Sequence, residues 1–434
     1  MKLARLELEN YRGFPRLQLQ LDGQSAIIIG MNGAGKSTVL DAIATAMAPL
    51  LKSITQDDVL QRNFSDLDIR HDRAMGKVSI STIYEGNQYD WGLSRKQSQK
   101  NTTIVGEDPL TNLAAKIEDL IDHNFFSGHL REDGQVYLGE YTDSIPITVY
   151  YPVHRAVLEI PVSLTDKSYT SYQNIALDDA LSVGVNFIEF FRWFRYQEDI
   201  ENENKIQKDR LFVHPHLQAV REAIEAFLPG FKNLRISRVP TQRMLIDKNG
   251  KTLTVNQLSD GEKILLALIG DLARRLALAN PGLAKPLEGE GLVLIDEVEL
   301  HLHPAWQREV INGFQKTFPN VQFIFTTHSP QVVSEVRDLK MYVLSYDSEG
   351  NHLEEHDPVF GQDVNFVLED VMGASSRNVD VKAGMHVLFR LIEQNELDQA
   401  EAKLKELELF VGAVKPSELL KASTLIHRKR TIGR

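Results

Sequence analysis

The sequence predicts an α/β fold built on a mixed sheet with helices on both sides. Residues 25–29, 291–296 and 321–326 are short apolar runs of strand length, typical of strands covered on both faces. Each run is followed by a segment whose apolar residues recur at helical spacing. Strands that alternate with helices in this way favour a sheet with parallel strands.

The other elements follow from local patterns. Residues 3–8 and 17–21 alternate apolar and polar side chains, as half-buried strands do. Lys248-Asn249-Gly250 is a hairpin signal between two short strands. We expect further strands at 77–95 (two, around 85–87), 146–151, 233–237, 243–246, 252–255 and 341–345, and helices at 109–125, 178–204, 211–229, 261–279, 304–317 and 330–336. The expected domains are an N-terminal lobe (1–91), an inserted helical and β region (92–255), a C-terminal lobe (256–346) and a helical tail (347–434).

Composition narrows the classes of protein. Of 434 residues, 42% are hydrophobic and 25% charged, which is an ordinary globular mix. No apolar run approaches the ~18 residues of a membrane span. The chain has no cysteine, so disulfides and thiolate metal sites are excluded. We expect a cytoplasmic protein without a membrane partner.

The formal net charge of -12 is unlike that of a dedicated duplex-binding domain. A nucleic-acid contact would therefore need a local basic surface or a partner protein. The short basic run at 427–434 is interpreted as a solvated, partly disordered tail.

The first chemical motif is Gly30-x4-Gly35-Lys36-Ser37, between an expected strand and an expected helix. The glycines let backbone N–H groups face phosphate oxygens, and the helix N-terminus adds partial positive charge. Lys36 is expected to reach the outer phosphates and Ser37 to bind magnesium. The motif thus predicts a nucleotide-binding loop, or P-loop.

A second motif lies at the end of the strand 291–296, where Asp296 and Glu297 are adjacent. Asp296 is placed to bind magnesium, and Glu297 to orient or deprotonate the attacking water. Asp296 follows Lys36 by 260 residues (296 minus 36). A small GTPase would place its magnesium-binding Asp much closer to the loop.

Two further motifs indicate which kind of P-loop protein this is. Leu258-Ser259-Asp260-Gly261-Glu262 stands directly before a helix, about 30 residues before the acidic pair. Thr327-His328-Ser329 ends the strand that follows the acidic pair. Ser259 and Gly261 are expected to meet the γ-phosphate held by another subunit, and His328 to help hold the water.

In this order the four motifs resemble those of the ABC ATPases, and residues 8–14 (Leu-Glu-Asn-Tyr-Arg-Gly-Phe) are similar to the SMC/RecF-like branch. The resemblance implies an ABC-type ATPase head that uses ATP and Mg²⁺. In these ATPases the segment that corresponds to residues 258–262 is called the signature and usually reads Ser-Gly-Gly-Gln from its serine. This chain departs from that pattern at Asp260 and Glu262. The residues expected at the site are Glu297 and His328 for catalysis; Arg12, Gly30, Asn32, Gly33, Ala34, Gly35, Lys36, Ser37, Thr38, Ser259, Gly261 and Glu262 for nucleotide; and Ser37 and Asp296 for metal.

Finer features are similar to the PtuA ATPases of the Septu anti-phage systems, which also accompany some retrons. These features are residues 149–155, the pair Trp193-Phe194, and Glu299-Leu300-His301-Leu302-His303-Pro304. The resemblance implies a homodimer or higher homo-oligomer and a separate HNH nuclease, like PtuB, as the effector.

Four other features of the sequence have an ordinary structural interpretation. His301-x-His303 with His328 could suggest zinc, but a helix does not place i and i+2 on one face, and no cysteine or nearby carboxylate cluster of ligand spacing completes such a site. The aromatic residues of 187–194 fit a core or a homodimer contact better than an exposed partner site. Residues 92–255 contain several prolines, among them Pro109, Pro146, Pro152 and Pro161, and no long heptad run, which argues against a coiled-coil arm. Residues 337–434 have no Asp-x-Asp pair and only scattered histidines, so we expect no nuclease centre there.

Two other functions are compatible with this sequence. One is a RecF-like repair ATPase whose ATP-bound dimer clamps DNA directly. The other is a scaffold that binds ATP and hardly turns it over.

Overall fold

The computed structural model describes residues 1–55, 62–97, 101–126, 143–153, 173–181, 185–207, 209–347, 350–375 and 377–432. The chain divides into two compact units, Met1–Gln362 and Asp363–Arg434. The strands are β1 (Lys2–Tyr11), β2 (Phe14–Gln20), β3 (Ala26–Ile29), β4 (Met75–Tyr84), β5 (Asn87–Lys96), β6 (Thr103–Val105), β7 (Ile147–Tyr151), β8 (Phe231–Ser237), β9 (Arg243–Lys248), β10 (Lys251–Thr254), β11 (Gly291–Ile295), β12 (Val321–Thr327), β13 (Lys340–Asp347) and β14 (Gly350–His356). The α-helices are α1 (Lys36–Thr55), α2 (Glu107–Phe126), α3 (Phe187–Gln207), α4 (Pro215–Phe227), α5 (Asp260–Ala279), α6 (Pro304–Thr317), α7 (Pro330–Val333), α8 (Val364–Phe366), α9 (Val379–Glu393), α10 (Leu397–Val411) and α11 (Ser417–Ile432).

The first unit contains a six-stranded sheet in the order β14-β13-β3-β12-β11-β7. The five strands from β13 to β7 are parallel, and β14 joins the edge antiparallel to β13. All residues of β3, β7, β11 and β12 are buried. Their near-continuous apolar sequences follow from this burial on both faces. The predicted α/β fold with a mixed sheet is confirmed.

Among its described residues, this unit also contains two smaller antiparallel sheets, in the orders β2-β1-β4-β5-β6 and β10-β9-β8. β1 and β2 alternate buried and exposed positions over most of their length. β9 and β10 form the hairpin that the Asn-Gly turn predicted.

The aromatic stretch on α3 belongs to the core. Phe187, Phe190, Phe191, Trp193 and Phe194 are each at most 2% exposed. The core interpretation is therefore correct, although α3 begins at Phe187 rather than at 178.

A local cap explains why α3 starts late. The side chain of Asn186 accepts a hydrogen bond from the backbone N–H of Glu189 at 3.2 Å, as a helix N-cap residue does. Residues Gln173–Leu177, just before the expected start of this helix at 178, form a separate 3₁₀ turn.

The second unit is helical. After α8 and a π-helical turn at Val367–Val371, helices α9, α10 and α11 pack around a shared apolar cluster that includes Leu388, Leu404 and Leu419. The expected start of the helical tail at 347 differs from the structure. Strand β14 follows that position and belongs to the six-stranded sheet of the first unit, which ends at Gln362.

The basic run is not disordered over its described part. It forms the end of α11, where Lys429 donates to the carbonyl of Ile392 at 2.5 Å. Arg430 pairs with Asp398 and, at 2.8 Å, with Glu401. These contacts tie basic side chains to α9 and α10, so the expectation of a partly disordered tail is wrong there. Arg434 lies outside the described residues, as do His154 and Arg155 of the 149–155 motif.

Among the described residues, one helix is long and apolar enough to span a membrane by length and composition, namely α1. Of its most apolar window, 67% is buried inside the protein. Packing in the core accounts for that apolar composition.

Candidate nucleotide-binding site

The carboxyl ends of β3, β12 and β11 are neighbours in the sheet. Thr327 of β12 pairs with Ile29 of β3, and β12 pairs in parallel with β11 on its other side. The segments that leave these three ends begin at Gly30, His328 and Asp296. Ligands of open α/β sheets bind at this edge. The sheet thus brings together three motifs that are far apart in sequence.

Residues 30–35 curl between β3 and α1. Gly30, Gly33 and Gly35 all have positive φ, a conformation that residues with a side chain rarely adopt. Lys36 is 5% exposed, and its Nζ donates to the carbonyl oxygens of Gly30 at 2.8 Å and Met31 at 3.1 Å. Of the other predicted loop residues, Asn32 is exposed, Ala34 is buried, and Ser37 and Thr38 are half-buried in the first turn of α1.

The Lys36 ammonium lies near three carboxylates. Burial lowers the pKa of Lys36, while the negative charges of Glu297, Glu299 and Asp296 act against that shift. The P-loop cation and the acidic residues after β11 therefore share one electrostatic environment.

A single hydroxyl organises the acidic pair. Thr326 Oγ1 donates to Asp296 Oδ1 at 2.5 Å and accepts the backbone N–H of Glu297 at 2.7 Å. Asp296 is 1% exposed, and its own N–H donates to the carbonyl of Tyr151 at 2.9 Å. Glu297 has a φ of 45° and a side chain that is 23% exposed. Buried Asp296 is thus oriented from two sides, whereas Glu297 reaches toward solvent.

His328 is anchored by Glu299. The Oε1 atom of Glu299 accepts the backbone N–H of His328 at 2.7 Å and lies 3.1 Å from its Nδ1. The same Nδ1 is 3.9 Å from Oε1 of Glu297. The His328 side chain is 42% exposed, while that of Glu299 is 4% exposed. This pairing uses Nδ1 and leaves Nε2 as the nitrogen available to a ligand.

The signature segment caps α5. The carboxylate of Glu262 accepts the backbone N–H of Ser259 at 3.0 Å and the Nζ of Lys248 at 2.5 Å. Burial works against ionisation of Glu262, but Lys248 and the Ser259 N–H outweigh it and lower the pKa of Glu262. Glu262 therefore has a structural partner within its own chain, whereas Ser259 and Asp260 are exposed.

The signature also packs against the loop that follows the acidic pair. A Cβ atom placed on Gly261 would lie 2.4 Å from the carbonyl oxygen of His301, so only glycine fits. His303 in this loop caps α6, since its Nδ1 accepts the N–H of Ala305 at 3.3 Å. Within the described residues, no hydrogen bond or ion pair joins Ser259, Gly261 or Glu262 to residues 30–38.

Arg12 occupies the turn between β1 and β2. Its Nη1 pairs with Asp41 of α1 at 2.8 Å, and its Nε pairs with Asp68 at 2.8 Å. Asp41 also pairs with Arg62 at 2.7 Å. The side chain thus ties this turn to the helix that carries the P-loop, and its predicted contact with nucleotide stays a prediction.

Three residues of this site had no role in the sequence interpretation: Thr326, Glu299 and Asn351. Asn351, on the unexpected strand β14, donates through Nδ2 to the carbonyl oxygen of Ala34 in the P-loop. Glu299 begins the motif at 299–304, which is similar to the PtuA ATPases, so the sequence offered a signal for its involvement. Nothing in the sequence near Asn351 pointed to the P-loop.

The residues present fit a nucleotide with its magnesium ion. Loop N–H groups precede the 20-residue helix α1, whose N-terminal partial charge favours phosphate. Asp296 accepts one hydrogen bond, from Thr326, within the described part of the chain, so one carboxylate oxygen stays available. The hydroxyl of Ser37 and this carboxylate are the hard oxygen ligands that Mg²⁺ prefers.

Comparison with known proteins agrees with this geometry. The family model "AAA ATPase domain" matches residues 1–125, and a second AAA domain model, of the Type IV TA system, matches residues 121–334. The Retron Ec83 probable ATPase of Escherichia coli is 30% identical over 87% of this chain and 77% of its own length. The Retron Vc95 probable ATPase of Vibrio cholerae is 29% identical over 80% of this chain and 74% of its own length.

Two other proteins are also similar to this chain. The Septu protein PtuA of Bacillus thuringiensis is 24% identical over 95% of both chains. A crystallised SMC head bound to the C-terminal winged-helix domain of ScpA is similar with a TM-score of 0.49 and 15% identity, over 82% of this chain and 98% of that chain. The chain therefore belongs to the family of the retron ATPases and Septu PtuA, and is an ABC-type ATPase of the SMC/RecF-like branch.

Proposed function

We propose that the chain is the ATP-driven dimeric switch of an anti-phage defence system and that it controls a separate nuclease. One observation carries the proposal. The P-loop, the acidic pair and His328 converge at one sheet edge, while Ser259 is exposed and, among the described residues, forms no hydrogen bond or ion pair with residues 30–38 of its own chain. An ATPase site completed by a second copy accounts for both facts.

Within one chain, residues 30–38 bind the phosphates of ATP. Lys36 exchanges its bonds to the Gly30 and Met31 carbonyls for phosphate oxygens, since an ammonium donates in three directions. Ser37 and Asp296 would hold the magnesium ion, whose charge offsets that of the phosphate oxygens when it is bound.

Glu297 acts as the general base for the attacking water. Its carboxylate is partly exposed, and its backbone is fixed through Thr326, so it can accept a proton from a water at the sheet edge. His328 holds that water or the terminal phosphate through Nε2. Glu299 is the positioning residue that keeps the imidazole in place.

The second copy supplies the signature. Ser259 and the N–H groups at the start of α5 form an anion-binding helix end that faces solvent within one chain. Gly261, in this helix end, packs against the carbonyl of His301. His301 follows Glu297 of the acidic pair by only four residues (301 minus 297), so the helix end is linked to the acidic pair. Closure of two copies would therefore place each signature on the other's phosphate and adjust each acidic pair.

The effector is proposed to be a separate HNH nuclease. This follows from the similarity to Septu PtuA and from the lack of Asp-x-Asp in residues 337–434. A purified HNH protein encoded beside the gene should co-elute with the chain and cut DNA in a nucleotide-dependent way. DNA binding by the chain alone that weakens steeply with salt would favour a direct clamp instead.

Complementation tests the composite site. Ser259→Arg should leave ATP binding intact but block closure, and Lys36→Ala should lose ATP binding. A mixed antiparallel dimer has one site with both defects and one with neither. ATP turnover should therefore partly return when the two inactive proteins are mixed.

Asn256→Arg is the matched control, because it adds the same charge at an exposed position three residues earlier. It should retain turnover and closure. Normal ATP turnover by a monomeric Ser259→Arg protein would refute the proposal that a second copy completes the site. Mixed dimers that form by native mass spectrometry but stay inactive would argue against assignment of the signature to the partner.

A further inference from the structure

Strand β14 places one amide side chain against the P-loop. Asn351 is 8% exposed, and its Nδ2 donates to the carbonyl oxygen of Ala34. Its Oδ1 would lie 3.4 Å from a Cβ on Gly13, at the turn between β1 and β2. The amide group is thus wedged between two backbone segments that belong to different parts of the fold.

The same contact constrains the next residue of the loop. A Cβ on Gly35 would lie 2.9 Å from Asn351 Nδ2 and 2.9 Å from the ring of Phe14, which is fully buried. Both neighbouring side chains are buried, so neither can move away without a cost in packing energy. The outer side of the loop is therefore held against β14 and the β1–β2 turn.

A hydrogen bond to one carbonyl fixes a whole peptide unit. The C=O of Ala34 and the N–H of Gly35 lie in one planar trans peptide and point in opposite directions. Because Asn351 draws the Ala34 carbonyl toward itself, the Gly35 N–H is turned away from Asn351. In a phosphate-binding loop, that is the side on which the anion is received.

We propose that Asn351 is a positioning residue of the nucleotide site, which orients the 34–35 peptide so that the Gly35 N–H is preset for a phosphate oxygen. This inference rests on the proposed binding of ATP at residues 30–38. Asn351 reaches this loop from a strand more than 300 residues later (351 minus 34 is 317). It does not touch the acidic pair or His328 among its described contacts.

Asn351→Asp is the sharpest perturbation, because it keeps the shape but replaces the donor by a carboxylate oxygen facing a carbonyl oxygen. ATP affinity should fall about tenfold, which corresponds to about 1.4 kcal/mol. KM should rise by a similar factor, whereas kcat should change less than about threefold, since the base is untouched. Glu354→Gln, at an exposed position of the same strand, is the control and should change neither value.

Asn351→Ala covers the case in which the acidic variant does not fold, since it removes the donor without adding charge. Thermal melting should show both variants folded, with the loss appearing in KM. Unchanged KM in a folded variant overturns the inference. A fall in kcat at constant KM overturns it as well.

Lys36→Ala separates this inference from the proposed site. If wild-type binding of ATP does not depend on Lys36, the proposed P-loop site itself is wrong. If binding depends on Lys36 but not on Asn351, only the positioning role is rejected.

Discussion

Gly261→Ala tests whether the signature and the loop after the acidic pair work as one unit. The added methyl would lie 2.4 Å from the His301 carbonyl oxygen, against at least 3.4 Å for an ordinary van der Waals contact. The methyl is bonded directly to Cα and the carbonyl oxygen belongs to the backbone, so neither group can rotate away. The start of α5 and the His301 loop must therefore separate by about 1 Å.

The expected magnitudes distinguish stability from function. Alanine favours a helix over glycine by roughly 0.5–1 kcal/mol, while overpacking costs about 1–3 kcal/mol. The net loss of stability should therefore stay below about 3 kcal/mol, and the protein should fold. A misplacement of about 1 Å in a catalytic arrangement can cost about 10²-fold in rate. We thus expect ATP turnover to fall about a hundredfold while ATP binding at the P-loop persists.

Gly270→Ala is the matched control on the same helix. Its methyl would meet the ring of Phe190 at 2.8 Å in the core, far from the signature. Turnover, ATP affinity and melting temperature should be measured for both variants. Normal ATP hydrolysis by Gly261→Ala, or an equal loss of turnover in Gly270→Ala at equal stability, would refute the coupling of the start of α5 to the loop at His301.

Two other predictions follow from the site and the core. Glu297→Gln removes the base but keeps the shape, so turnover should fall about 10²–10⁴-fold while ATP still binds; hydrolysis at the wild-type rate would exclude Glu297 as the base. Burial works against ionisation of Asp271, but the adjacent guanidinium groups, Arg275 first, outweigh it and lower its pKa to about 2, below the ordinary 3.8. A lowered folded-state pKa gives stability that is complete above pH 3.8 and is lost as pH falls toward 2, by about 2 kcal/mol for this group. Urea unfolding between pH 5 and 2.5 should show this loss, and its slope against pH should be shallower in Asp271→Asn.

The order of the motifs was readable from sequence because each one is local. A P-loop needs glycines, lysine and serine at fixed spacing between a strand and a helix, and residues 30–37 supply both. The acidic pair and His328 each follow a short apolar strand, and parallel strands bring their carboxyl ends to one edge. Sequence alone therefore indicated the ATPase class and the principal residues.

The departures from expectation have local causes. The α3 helix starts at Phe187 because Asn186 caps it. Strand β14 was missed because its apolar signal is weak, as expected for an edge strand with an exposed end. The basic end of the chain is helical because α9 and α10 supply a carbonyl and carboxylates for it.

What the sequence by itself determined is the fold class and the set of motifs, since periodicity and short spacings act within a few residues of chain. The tertiary structure alone decided the contacts that orient those motifs. Asn351 meets the P-loop, Glu299 anchors His328, and Gly261 meets the loop at His301. Each is a polar or steric contact between separate segments, and no local pattern encodes which distant partner a buried amide, carboxylate or glycine will find.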